Sequence, residues 1–254
     1  MILAFDVGNT NIVLGTIKDG DIIDFVRMRT DPTATSAEYA VKIIAMLKLM
    51  KRELNEFDGA IISTVVPQLG ATLKEAIKTV TGCDAIIVSH KIDVGLKIDI
   101  DEPGSVAGDL LIAGVAAKEY YGYPAIILDL GTATTIMVVN REGAFGGGAI
   151  VPGIFLGLNA LANGTALLPE ISISAPDHCI GTNTVDCMRS GAVFGNAALI
   201  DGMIDRMEDE IGQPCKLIAT GGLASSIVKY CRHDIVCDDN LLLKGLWAIY
   251  KRNK

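Results

Sequence analysis

One segment of the chain occurs twice. Asp6-Val7-Gly8-Asn9-Thr10-Asn11 lies between two short apolar runs, Ile2 to Phe5 and Ile12 to Leu14, and Lys18-Asp19-Gly20 follows. Further on, Ala125 to Leu128, Asp129-Leu130-Gly131-Thr132-Ala133-Thr134-Thr135, Ile136 to Val139 and Arg141-Glu142-Gly143 repeat the order. Asp6, Gly8 and Thr16 face Asp129, Gly131 and Val139 at the same spacing. Short aliphatic and β-branched runs read as buried strands, and a charged turn ending in Gly reads as a hairpin. Agreement at Asp and Gly alone would be weak. Agreement that takes in the flanking strands and both turns marks an internal duplication. It predicts two similar α/β domains, each opening with a β-hairpin, over residues 1–121 and 122–254, with a cleft between them.

The rest of the chain fits that frame. Helical periods run over 37–50, with Ser36 as the expected N-cap, and over 68–81, 106–120, 154–166, 185–207 and 239–250. Residues 60–66, 85–88 and 215–219 read as strands, and 94–100 and 171–175 as extended stretches. Gly146-Gly147-Gly148 has the wrong spacing for a dinucleotide fingerprint and suits close backbone packing or a bend in a strand.

Composition excludes several classes. Half of the 254 residues are hydrophobic, enough for a sizeable core, yet no apolar run approaches the ~20 residues of a bilayer span. The N-terminus lacks a basic segment and Asp6 interrupts its apolar run, so the expectation is a cytoplasmic protein without a secretory signal or a membrane. A net charge of −8 disfavours a nucleic-acid partner. The six Cys lack C-x-x-C spacing and are expected to be free thiols. Cys231-Arg232-His233 with Cys237 lacks zinc-site spacing, and His90 and His178 are expected to be structural or exposed.

The chemistry therefore points to the repeated turns. Each combines small residues, backbone N–H groups, hydroxyls or amides, and one acid. Two such turns could grip a polyphosphate, with Asp6 and Asp129 as carboxylates for a hard cation such as Mg²⁺. Thr220-Gly221-Gly222 is a third small-residue turn, opening a helix and suited to close approach by a base or sugar. Asp109 lies in the first turn of a helix, where the dipole alone would satisfy it. P-loop and protein-kinase signatures are absent.

These three turns resemble the phosphate-one, phosphate-two and adenosine motifs of the acetate and sugar kinase, heat-shock ATPase and actin superfamily. Within it the chain resembles the type III pantothenate kinases. Ser63-Thr64-Val65-Val66-Pro67, Pro152-Gly153, Leu168-Pro169 and Gly181-Thr182-Asn183-Thr184 match that family in order and spacing.

The resemblance implies two duplicated ribonuclease H-like (actin-like ATPase) domains, mixed sheets flanked by helices. It implies phosphorylation of the primary hydroxyl of pantothenate by ATP, by a homodimer that needs Mg²⁺ and a monovalent cation, K⁺ or NH₄⁺. It carries ATP binding onto Asp6, Val7, Gly8, Asn9, Thr10, Asn11, Ile12, Val13, Thr132, Gly221 and Gly222. Substrate contacts fall on Ile100, Ala107, Gly108, Asp109, Leu110 and Thr184, with Asp109 the proton acceptor. Asp129 becomes the monovalent-cation ligand, and Asp6 serves Mg²⁺ through phosphate.

Three positions depart from the family pattern. Leu110 stands where an Arg is usual, Ile100 where a Tyr is usual, and Thr182 where a Lys is usual. Either Arg189 or a partner-subunit residue holds the substrate carboxylate, or the acceptor is another small alcohol or acid. A nucleotide-binding accessory protein without catalysis is the third reading.

Overall fold

The computed structural model describes residues 1–89 and 91–254, so His90 lies outside the described residues. The chain forms two compact units: residues 1–120 with 240–254, and residues 121–239.

The first unit opens with three antiparallel strands, β1 (Ile2–Val7), β2 (Asn11–Lys18) and β3 (Asp21–Arg29). Helix α1 (Ser36–Leu49) leads to β4 (Gly59–Thr64), which joins β1 in parallel. Helix α2 (Pro67–Thr81) leads to β5 (Ala85–Ile87), parallel to β4. The sheet order is β3-β2-β1-β4-β5. After a two-residue strand β6 (Lys97–Ile98) comes helix α3 (Gly108–Tyr120).

The pleat divides β1 cleanly. Leu3, Phe5 and Val7 enter a fully buried cluster with Tyr39, Ile43 and Leu47 of α1 and Leu69, Leu73 and Ile77 of α2. Ile2, Ala4 and Asp6 alternate with them and take the opposite face. Burying each large side chain stabilises the fold by about 1.5–3 kcal/mol. Local signals fix the helix ends. Thr35 and Glu38 form a reciprocal capping box on α1, and Gly82, left-handed at φ +76°, closes α2. The N-cap is thus Thr35 rather than the expected Ser36, because Ser36 already has helical geometry and the Glu needed three residues past the cap is Glu38.

The second unit repeats the topology. Strands β7 (Ala125–Leu130), β8 (Ala133–Val139) and β9 (Ala144–Pro152) are antiparallel. Helices α4 (Ile154–Gly164), α5 (Thr184–Ser190) and α6 (Asn196–Ile211) precede β10 (Lys216–Thr220), which is parallel to β7. Helix α7 (Ala224–Val228) leads to β11 (Val236–Cys237), parallel to β10. These five strands lie in the order β9-β8-β7-β10-β11, matching the first unit position for position. Both hairpins also carry a register shift at the corresponding place, Thr16/Ile17 and Met137/Val139.

Several expectations change. The Gly-rich stretch is strand β9, where Gly148 lies so close to the Ile136 carbonyl that a Cβ would overlap it. The long helix contains a π turn, Gly191–Gly195, between α5 and α6. Residues 171–175 form no strand.

The last helix, α8 (Leu241–Arg252), was expected within a 122–254 domain and instead joins the first unit. Its Leu243 packs over Gly15, Tyr250 over Gly59, and Gly245 against the backbone of Ile112 in α3. Glycine at these three positions is what lets α8 approach so closely.

Candidate active site

The first turn is built by closure of the β1–β2 hairpin. Gly8 N–H donates to the Asn11 carbonyl at 3.0 Å, and a Cβ on Gly8 would meet that carbonyl at 3.1 Å. Thr30, just past β3, fastens the turn from outside. Its N–H donates to the Thr10 carbonyl at 3.0 Å and its hydroxyl to the Gly8 carbonyl at 2.7 Å. Those carbonyls are thereby occupied, while Asn9, Thr10 and Asn11 remain exposed. Val7 and Ile12 are fully buried beneath the turn, and Val13 is half-buried.

Asp6 is the penultimate residue of β1, on the sheet face opposite the α1–α2 core. It pairs in register with Ser63 of β4, and paired residues of a parallel ladder point to the same face. Ser63 is fully buried, and its Oγ is the atom nearest the place where a Cβ on Gly108 would stand, 2.8 Å away. Asp6, Ser63 and the first turn of α3 therefore occupy one end of one sheet face. Asp109 is the second residue of α3. Leu110 N–H donates to its Oδ1 at 2.8 Å. Burial raises the carboxyl above its ordinary pKa of 3.8, and that hydrogen bond offsets part of the rise. Ala107, Gly108 and Leu110 are half-buried around it, as is Ile100 in the loop ahead.

In the second unit the turn is one residue tighter: Gly131 N–H donates to the Ala133 carbonyl at 3.1 Å, leaving Thr132 exposed. Two glycines press on it. Gly153 lies against the Gly131 and Thr132 carbonyls, where a Cβ would overlap both. Gly221, left-handed at φ +94°, would place a Cβ 2.5 Å from Asp129 Oδ1 and 2.7 Å from Leu130 N. Strand register sets Thr220 beside Asp129, as Ser63 stands beside Asp6. The second and third motifs thus meet at one point, with Gly222 exposed beyond them. The oxygen-rich donors at Asp6 and Asp129 suit hard cations, and Gly221 leaves the Asp129 carboxylate the space that a side chain would fill.

Thr184 begins α5, capped by Asn183, whose side chain accepts from Asp186 N–H at 3.0 Å. It lines a groove of about 870 Å³ with Gly153, Ile154, Leu158, Thr182 and Met188. Arg189 sits 3.6 Å from Asp186, in an ion pair.

All six Cys are free thiols, His178 is exposed, and His233 Nε2 lies 2.9 Å from Asp205. No group of three or more metal-capable side chains occurs among the described residues. No helix among them is long and apolar enough to cross a membrane.

A model of the type III pantothenate kinase family matches residues 2–206. The chain is 40% identical over 253 residues to a type III pantothenate kinase of Halalkalibacterium halodurans, covering all of both chains. The chain belongs to the type III pantothenate kinase family. The family relative from Rubrobacter xylanophilus is 38% identical, with 100% of this chain and 98% of that one covered.

Solved structures more distant than the family share the fold. A Campylobacter jejuni chain whose description names a Baf family transcriptional activator aligns with TM-score 0.62 at 20% identity, covering 99% of this chain and 98% of that one. Component A of (R)-2-hydroxyglutaryl-CoA dehydratase from Acidaminococcus fermentans aligns with TM-score 0.57 at 15% identity, covering 98% and 95%. The fold class is thus the duplicated, actin-like ATPase architecture that the resemblance implied.

Sequence reasoning had not singled out Thr30, and had taken Ser63 only as part of a motif. No local pattern marks Thr30, whose role follows from where β3 ends. Ser63 could have been found by setting the two parallel ladders side by side.

Proposed function

We propose that the protein transfers the γ-phosphoryl group of ATP to the primary hydroxyl of pantothenate, giving 4′-phosphopantothenate, the first step toward coenzyme A. The observation that carries this reading is the half-buried Asp109 carboxyl at the start of α3, next to Ser63, the ladder partner of Asp6, in a chain akin to this kinase family along its whole length.

Phosphoryl transfer asks little covalent chemistry of a protein and much positioning. The Asp6–Val13 turn holds the ATP phosphates through N–H, amide and hydroxyl groups. Thr132, Gly221 and Gly222 supply further ATP contacts. Ile100, Ala107, Gly108, Leu110 and Thr184 surround the acceptor. Asp109 takes the hydroxyl proton as the oxygen bonds to phosphorus and ADP leaves. A carboxyl whose pKa lies above the ordinary range is a better proton acceptor for that step.

Asp6, through phosphate, and Asp129 would hold Mg²⁺ and a monovalent cation, K⁺ or NH₄⁺, which supply positive charge to the phosphates in a protein of net charge −8. The working form is a cytoplasmic homodimer, and the helices of residues 185–204 are its candidate interface.

Purified protein should release ADP only when pantothenate, Mg²⁺ and K⁺ or NH₄⁺ are all present. ATP consumption indifferent to pantothenate would end the proposal. A second acceptor is favoured by one observation. No charged side chain among the described residues contributes to the Asp109 shift, and Leu110 stands beside it. A panel of small alcohols and hydroxy acids, assayed by ADP release, separates the two readings.

A further inference from the structure

The acids one residue from the ends of β1 and β7 share a neighbour of the same kind. Ser63 stands beside Asp6 and Thr220 beside Asp129, each one strand over in a parallel ladder. Both are buried, Ser63 at 0% exposure and Thr220 at 2%. Ser63 Oγ, moreover, finds no hydrogen-bond partner among the described residues. A buried hydroxyl without a partner lowers stability, so packing alone would favour Ala at this position. Its direction is informative. The oxygen points away from the α1–α2 core and toward Gly108, whose missing Cβ would lie 2.8 Å from it. Asp109 follows in the chain. Its Oδ1 accepts from Leu110 N–H, and a carboxylate, with about four lone-pair sites, can accept a further donor.

We propose that Ser63 is a positioning residue for phosphoryl transfer: its hydroxyl seats the first turn of α3 and donates to the Asp109 carboxylate when the acceptor is bound. The residue acts through Asp109 and touches neither substrate, consistent with its complete burial. Gly108 is the counterpart of this arrangement, because any side chain there would displace the hydroxyl. The proposal rests on the kinase reaction and on the role of Asp109 stated above.

The test compares wild type, Ser63→Ala and Ser63→Thr in pantothenate-dependent ADP release and in thermal unfolding. Ser63→Ala should lower kcat by about tenfold or more, since small misplacements of a reacting group cost that much. KM for ATP and for pantothenate should stay within about twofold, as expected when the lost interaction matters only in the transition state. Tm should hold or rise, because the hydroxyl lacks a partner in the free protein. Ser63→Thr, the residue used at the twin position, should recover most of the lost kcat. Unchanged kcat in Ser63→Ala overturns the proposal. So does a loss of kcat that tracks a fall in Tm and is not recovered by Thr. Wild-type protein inactive toward pantothenate would remove the functional reading and this inference together, whereas active wild type with equally active Ser63→Ala removes this inference alone.

Discussion

At the scale of single residues, Asp109 combines two demands that oppose each other. Burial raises its folded pKa, so the charged form is disfavoured in the native state. The resulting penalty is absent below the ordinary value of 3.8 and reaches its full size as pH rises through the raised folded pKa. Asp109→Asn should therefore raise Tm at neutral pH, with the gain fading in acid, as paired melts at the two pH values would show. The same variant should lose about 10²–10⁴-fold in kcat while ATP binding, followed by calorimetry, persists. Gly221 makes a different prediction. Its left-handed backbone and its approach to Asp129 mean that Gly221→Ala should destabilise by about 1–3 kcal/mol and weaken ATP binding. Gly222→Ala, whose Cβ would meet nothing within 4 Å, should leave Tm unchanged.

At the scale of elements, what the sequence disclosed was whatever depends on near neighbours. Strand periods, hairpin turns and helix stretches follow from spacing along the chain, and they located β1, β2, β7, β8, α2 and α3 closely. That Asp6 and Asp129 lie in hairpin turns and Asp109 at a helix start was legible because turn and helix-start chemistry is local. Contacts made by distant segments were not legible. The docking of α8 depends on Gly15, Gly59 and Gly245, which look unremarkable in one dimension. The pinning of the first turn by Thr30 and the seat of α3 on Ser63 depend on strand register, which a periodicity cannot supply. Two element-level tests follow. Thr35→Ala removes the side-chain half of the α1 capping box, the hydroxyl that accepts from Glu38 N–H, and should cost about 1 kcal/mol in denaturant unfolding. Gly195→Ala should stabilise by about 0.5–1 kcal/mol, because Gly195 has helical geometry and its added Cβ would enter open space. A loss instead would show that the π turn depends on the glycine.

At the scale of the whole molecule, the expected duplication is present in strand order, in ladder polarity and in the position of the register shifts. The expected chain division is not, since residues 240–254 belong with residues 1–120. The second unit is thus threaded into the first as an insert, leaving and returning at 120/121 and 239/240. Tyr121, on the way in, donates its hydroxyl to Asp238, on the way out, at 2.7 Å. Both chain ends sit in the host unit. The Met1 ammonium pairs with Asp58 at 2.6 Å, and Lys254 is near enough to act on the same carboxylate. A gene rewired so that residue 254 runs through a short linker into residue 1, and opened instead in the exposed 165–183 loop, should yield a folded protein with near-native secondary structure by circular dichroism. Halving the gene at residue 121 should yield fragments that aggregate, because the leading piece would lack α8, which shares one side of its sheet with α3.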